Sequence, residues 1–181
     1  MAPGHYVPDQ DFAPAAAGAR VRIVTLLCLV AVIGASVAVS VFVLLPGRWS
    51  PWPPFVTVSV APVVLLAVWF TARIRRYRLT AAELQVHRPL LIMRFPLEGL
   101  QEVIPDRDAL RGALKIVGND GVGAISGRYR SQRLGRFHAY VTDRDHAVVL
   151  RWPDRSLVVS PDQTAWFIET VRRRAGLTSP R

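Results

Sequence analysis

Cysteine is almost absent from this chain, with Cys28 standing alone. No disulfide can form within one molecule, and no cysteine-based zinc site can be assembled. Lysine is equally scarce: Lys115 is the single one, so the formal net charge of +10 is carried by arginine. Acid is short, with 13 Asp and Glu against 23 Lys and Arg. Such an excess points to nucleic acid or to an anionic membrane surface. Charge of either sign is missing from two stretches near the N-terminus. Val21–Leu45 is interrupted by Arg22 alone, and Phe55–Ala72 by nothing. A hydrocarbon core about 30 Å thick needs about 20 apolar residues as a helix, and both runs are near that length. Beside them the membrane reading of the basic balance is the simpler one, and no nucleic-acid partner is expected.

The usual signatures of catalysis are missing as well. The histidines His5, His87, His138 and His146 have no metal-ligand spacing of the H-E-x-x-H kind. Gly118–Gly127 (GNDGVGAISG) lacks the G-K-[ST] of a phosphate-binding loop and reads as a flexible hairpin or loop. Ser126 and Ser156 have no G-x-S-x-G context. Asp106/Asp108 and Asp143/Asp145 could pair for acid–base work. Both pairs lie in turn-like sequence, where Asp bonds its own backbone. The expectation is a non-enzymatic protein without metal or cofactor.

What is present divides the chain. Residues 1–19 are proline- and alanine-rich without apolar periodicity and are expected to form a disordered tail. Residues 20–72 should hold two membrane helices, about 21–45 and 55–72, joined by the short turn Arg48–Pro54. The first run is longer than a signal-peptide h-region of about 7–15 residues, so an uncleaved helix is expected. Gly34 and Ala38 share a face and would allow close approach of the second helix; a lipid-facing position is the alternative for any one of these small residues. Cys28 reads as a small apolar filler. Trp49 and Trp52, with Arg73, Arg75 and Arg76, fall where interfacial anchors belong. Arg20, Arg22, Arg73, Arg75, Arg76 and Arg78 lie on the terminal side, against Arg48 in the turn. The positive-inside rule therefore puts both termini in the cytoplasm.

From Arg73 to about Gly176 the pattern changes to short extended pieces. Tyr77–Leu79, Leu84–His87, Leu90–Phe95, Leu100–Ile104, Phe137–Val141, Ala147–Trp152 and Ser156–Val159 are separated by turn signals such as Asp143-Arg144-Asp145 and Pro153-Asp154-Arg155. Ser160-Pro161-Asp162-Gln163 reads as a helix start, with Ser160 capping and Gln163 completing a capping box. Trp166, Phe167 and Val171 follow at helical spacing. The helix should end near Ala175-Gly176, with Arg172–Arg174 in its last turn. Residues 177–181 form a tail. The fold class is a membrane α-helical hairpin plus a mainly-β soluble domain with a C-terminal capping helix.

Four stretches carry a family resemblance. Gly127–Tyr140 (GRYRSQRLGRFHAY) resembles a glycine-containing loop leading into a strand of the form Leu-Gly-x-Phe-x-Ala-Tyr. Asp143–Leu150 (DRDHAVVL) resembles the hairpin that follows. Leu157–Phe167 (LVVSPDQTAWF) resembles the closing strand and aromatic helix start, and Leu79-Thr80 with Leu84-Gln85-Val86 the opening strand pair. Over roughly 75–175 the chain is thus similar to the bacterial pleckstrin-homology-like (PH) domains found behind paired membrane helices. The resemblance implies a bent barrel of two near-orthogonal sheets, plugged at one end by the last helix. It implies no activity, and no phosphoinositide-binding residue transfers.

One surface pattern stands out. Arg128, Tyr129, Arg130, Arg133 and Arg136 fall within nine residues free of acid. Arginine holds phosphate by bidentate geometry. The bland reading is a solvated loop; the sharper one is contact with anionic lipid headgroups through Arg128, Arg130, Arg133 and Arg136. The function expected is a multi-pass, membrane-anchored binding or interaction module at the cytoplasmic face of a bacterial membrane. The alternative is a structural subunit whose domain meets a protein partner or a second copy.

Overall fold

The computed structural model describes residues 8–44 and 52–177. A short strand, β1 (Gln10–Phe12), precedes two helices, α1 (Ala19–Leu44) and α2 (Trp52–Ala72). Nine strands follow: β2 (Arg76–Leu79), β3 (Glu83–His87), β4 (Ile92–Pro96), β5 (Glu102–Pro105), β6 (Leu114–Asp120), β7 (Ile125–Ser131), β8 (Gly135–Val141), β9 (Val148–Arg151) and β10 (Ser156–Val159). The last element is α3 (Thr164–Arg174). The strands form two sheets, β1-β2-β3-β4 and β5-β9-β10-β8-β7-β6. All pairings are antiparallel except β10 with β8.

Period-two alternation explains the first sheet. Tyr77, Leu79, Leu84, Val86 and Phe95 are buried, while Arg76, Arg94 and Pro96 face out. The centre of the second sheet follows another rule. Val148–Leu150 and Leu157–Val159 are buried without a break because both faces of the sheet are covered. Val148, Leu150, Leu157 and Val159 join Phe12, Tyr77 and Phe167 in one core. Val149 and Val158 point the other way, into a core with Val21, Leu110, Ile125 and Phe137. Tyr77 ties the first core together: its hydroxyl donates to the Tyr140 carbonyl (2.8 Å) and accepts from the Ser160 N–H (3.2 Å). Burial pushes that phenol up to about 12.

Two sequence expectations are corrected and two are narrowed. The proline-rich tail is not uniformly structureless: Gln10–Phe12 pairs with Leu79–Tyr77, Phe12 and Ala15 are buried, and Asp11 bonds Arg76 and Arg78. Second, of the hairpin or loop expected at Gly118–Gly127 the hairpin is what forms, β6–β7, where Gly118 faces Gly127. A Cβ on either would stand 2.1–2.2 Å from the carbonyl oxygen of Ser126 or Val117, and both residues have φ of +139°. Third, α3 begins at Thr164 with no side-chain cap. The Ser160 hydroxyl is buried and spent elsewhere, accepting the Thr142 N–H at 2.8 Å. Fourth, of the two readings of Gly34 the outward-facing one holds at that residue, with nothing within 4 Å of where its Cβ would be. The C-terminal end of α3 is as expected: Gly176 turns at φ +69° and Leu177 N–H reaches the Arg172 carbonyl at 2.9 Å. Trp166 and Phe167 divide the helix face, Phe167 fully buried and Trp166 42% exposed.

The apolar runs are helical, starting at Ala19 and at Trp52, slightly ahead of the sequence bounds. At 1.5 Å per residue, the 26 residues of α1 extend about 39 Å. Among the described residues one stretch, Ala19–Val39, is long and apolar enough to cross a membrane; in α2 the apolar stretch searched is the shorter Pro62–Ala72. Leu45, most of the connecting turn and Trp49 lie outside the described residues, and Trp52 is described only as the first residue of α2.

Candidate functional site

The site worth building is where the helices meet the barrel. Gly18 opens α1: its N–H bonds the Thr142 carbonyl (3.0 Å), and Asp143 packs against it so closely that a Cβ would meet the carboxylate at 2.5 Å. One turn on, Val21 is buried in the second core. Thr25 then receives the tip of the β6–β7 hairpin. Its hydroxyl accepts the Gly123 N–H (3.2 Å) and lies 2.7 Å from the Val21 carbonyl. The same tip touches α2, since the space of a Gly123 Cβ is taken by the Trp69 carbonyl at 3.0 Å. Arg20 pairs with Asp120 at 3.4 Å, and the Arg73 guanidinium lies 4.6 Å over the Trp69 ring. Thr25, Leu29, Leu65, Leu66, Trp69 and Val122 enclose an apolar cavity of about 300 Å³. The helix bases are thus wedged onto the barrel by side chains and backbone, with no free linker at either junction.

The end of α2 is capped by the β3–β4 hairpin. Arg88 donates through Nε (3.2 Å) and Nη2 (2.8 Å) to the Thr71 carbonyl, one of the carbonyls the last helical turn leaves without an intrahelical partner. A cation there also complements the helix dipole. Arg75 continues the bond pattern from N–H to the His87 carbonyl (2.8 Å), and its guanidinium lies 6.0 Å from the Phe70 ring. Beyond Arg88 the hairpin tip exposes Leu90, Leu91 and Ile92. Burial, then the charges of Arg76 and Arg78, hold the His87 imidazole below its ordinary value. The anchors read from sequence, Arg73, Arg75 and Arg76, therefore do gather at the end of α2, and Arg88 joins them. Sequence inspection passed over Arg88; its signal was an Arg-Pro step ahead of an apolar run, which marks a turn with apolar residues at its tip.

The other four arginines do not form one loop. Arg128 and Arg130 lie on β7, exposed on one face, while Tyr129 between them is buried. Tyr129 stacks on Phe137 (5.9 Å) and donates to the Asn119 carbonyl (2.9 Å), and desolvation pushes it up to about 12. Arg128 stands opposite His138, whose imidazole is pushed down first by burial and then by Arg128. Arg130 stands opposite Arg136, a like-charge pair that weakens a ladder. Arg133, in the turn, is neutralised by Asp106. Arg111 and Arg130 line an open cleft of about 810 Å³ with Asp108. Counting strand rise from the tip at Gly123, Arg130 lies about 20 Å along β7 from the helix bases.

The carboxylate pairs are turn elements: Asp106 accepts the Asp108 N–H (3.0 Å) and Asp143 the Asp145 N–H (3.3 Å). Asp143 also meets His146 at 3.0 Å. Among the described residues no three His, Cys, Asp or Glu side chains could hold a metal ion together.

Two sheets with a C-terminal helix packed into their shared core form a mainly-β domain consistent with a PH-like architecture, a class that suggests a binding or interaction module. Residues 75–175 match the family model described as Bacterial PH domain, and the chain belongs to that family. No curated protein and no solved structure matches it.

Proposed function

We propose that the chain is a non-enzymatic binding module held at the cytoplasmic face of a bacterial membrane by the α1–α2 hairpin. The observation that carries this reading is the surface of α1. Ile23, Leu26, Leu27, Val30, Ile33 and Val37 are exposed around the helix, and water is a poor solvent for them. The β1–β2 pairing supports a two-pass path, because it brings the start of α1 and the end of α2 to one side of the molecule. The arginines at those ends, against Arg48 in the far turn, argue for a cytoplasmic domain with both termini inside. Under this reading Arg130, Arg133 and Arg136 look into the cytoplasm, and headgroup contact falls to Arg73, Arg75, Arg76 and Arg88, with Arg128, which lines a cleft with Val68, Thr71 and Arg88 at the end of α2.

The test uses the whole chain with Cys28→Ala and a single new thiol, Arg136→Cys. The protein should resist carbonate extraction, and the thiol should react only after the membrane is opened. Labelling of intact cells, or release by carbonate, would sink the assignment.

One observation favours a second reading, a subunit using its domain for assembly. Arg130 and Arg136 are held face to face without an acid between them. An acidic partner or an acidic face of a second copy would relieve that repulsion. Purification in mild detergent decides it: a stoichiometric acidic partner that is lost in Arg130→Gln/Arg136→Gln supports assembly.

A further inference from the structure

The hairpin tip Pro89–Ile92 is the feature the tether alone does not explain. Leu90 is 71% exposed, Leu91 58% and Ile92 49%, consecutive apolar residues facing solvent. Such a run is a defect unless something covers it. Its surroundings are one-sided in charge. Arg75, Arg76, His87 and Arg88 line a cleft of about 550 Å³ together with Leu90 and Leu91, and no carboxylate lines it. Asp11, the acid whose charge reaches His87, is spent on Arg76 and Arg78. The tip is also fixed in position. The Arg88 N–H closes the turn on the Leu91 carbonyl (2.9 Å), and the Arg88 guanidinium is tied to Thr71 in the last turn of α2. The apolar tip therefore lies beside the end of an apolar helix, inside a collar of arginines.

The geometry points to a second membrane contact, lateral to the tether: Leu90 and Leu91 enter the interface among the upper acyl chains, and Arg75 and Arg88 hold the phosphate of an anionic phospholipid in the cleft. The inference rests on the membrane reading above and adds the surface and the lipid class. The two halves support each other, since apolar insertion and charge attraction combine in interfacial anchoring. Arg88 has donors to give: two of its five N–H groups go to Thr71. A helix pair alone lets the whole protein, helices and domain together, tilt in the bilayer. A third contact off the helix axis fixes which face looks at lipid and leaves the Arg130/Arg136 end directed away.

The test keeps the full chain. In a Cys28→Ala background, Leu90→Cys carries an environment-sensitive dye, and Gln132→Cys in the β7–β8 turn carries the same dye as a reference. Both proteins are reconstituted in liposomes of phosphatidylglycerol and phosphatidylcholine. Dye at position 90 should emit to the blue and be quenched by lipids brominated on their acyl chains, while dye at 132 stays water-like. An arginine near an anionic surface contributes about five-fold, so Arg75→Gln should lower the ratio of inserted to exposed tip by about that factor. Pure phosphatidylcholine should lower it as well. Water-like emission at 90 in a carbonate-resistant protein overturns the tip contact and leaves the tether standing. Shielding at 90 without bromine quenching means a protein surface covers the tip and overturns it too. Release by carbonate overturns the tether itself.

Discussion

Replacing Phe167 by alanine should unfold the barrel far more readily than replacing its neighbour Trp166. Phe167 is fully buried, edge-on to Phe12 at 5.1 Å and 6.4 Å from Tyr77, in the core that α3 completes. Truncating such a ring costs about 3–5 kcal/mol. A domain of this size holds about 5–15 kcal/mol in all. At about 4–8 °C per kcal/mol, the midpoint should fall by at least about 12 °C. Trp166 is 42% exposed and, among the rings of the described residues, packs beside Phe12 at 4.6 Å between centroids. Its loss should cost about 1–2 kcal/mol from the area it covers. The measurement is the temperature at which protease sites within residues 75–175 open, read on full-length protein in detergent. The whole chain is required, because a fragment starting at Arg73 would lack β1 and leave Phe167 without Phe12. Combining Phe12→Ala with Trp166→Ala should reveal a coupling of about 0.5–1.5 kcal/mol. Equal midpoints for Phe167→Ala and Trp166→Ala would refute the division of the helix into a buried and a leaning aromatic.

Three further outcomes follow from named contacts. Hydrogen bonding from Arg78, then its charge and that of Arg76, hold the Asp11 carboxyl below its ordinary value. The contribution is therefore complete above the unfolded value, about 4, and fades as pH falls through the folded one. The protection factors of the Gln10–Phe12 amides, which are free of the intrinsic slowing of exchange in acid, should fall as the medium is acidified below that value, and Asp11→Asn should remove that fall. Gly127→Ala forces an L-residue to φ +139° against the Val117 carbonyl. It should cost roughly 1–3 kcal/mol in backbone strain alone, and exchange protection should be lost from β6 and β7 before the rest of the domain. Ser160→Ala strands the buried Thr142 N–H, at about 1–3 kcal/mol, while α3 keeps its start at Thr164 because no cap is removed; amide exchange across residues 164–168 should be unchanged.

Much of the barrel can be read from the chain because its signals are local. Leu84 and Val86 alternate with partly exposed neighbours over a few residues, and that identifies a half-buried strand, whereas in β8 the same alternation of Phe137, Ala139 and Val141 sends the neighbouring Tyr140 into the other core. What escaped depends on distant partners. Nothing in Gln10-Asp11-Phe12 announces a strand; its ladder and its ion pairs come from Arg76–Leu79. Gly118 and Gly127 suggest a loop until they are seen to face each other, where missing side chains let two backbones cross closely. Ser160 has the chemistry of a cap, but burial beside Thr142 gives its hydroxyl a nearer donor. The basic cluster was legible in composition and not in geometry. Alternation on β7 turns Tyr129 inward, the Asp106 carboxylate takes Arg133, and Arg88, the residue that ties barrel to helix, lies forty positions earlier than the cluster.

The pairing of β1 with β2 has a consequence for the order in which the molecule is made. A ribosome releases Gln10–Phe12 first, then both helices, and only afterwards the strand that β1 must join. The first sheet cannot reach its final width until the whole helical hairpin has left the exit tunnel, and the closure is a long-range one of the kind that folds late. Each helix is therefore bracketed by strands that are neighbours in space. The finished edge of the sheet, with Phe12 seated on Phe167, therefore forms only once α2 runs back beside α1 toward its start, and until then the edge of β2 stays unpaired.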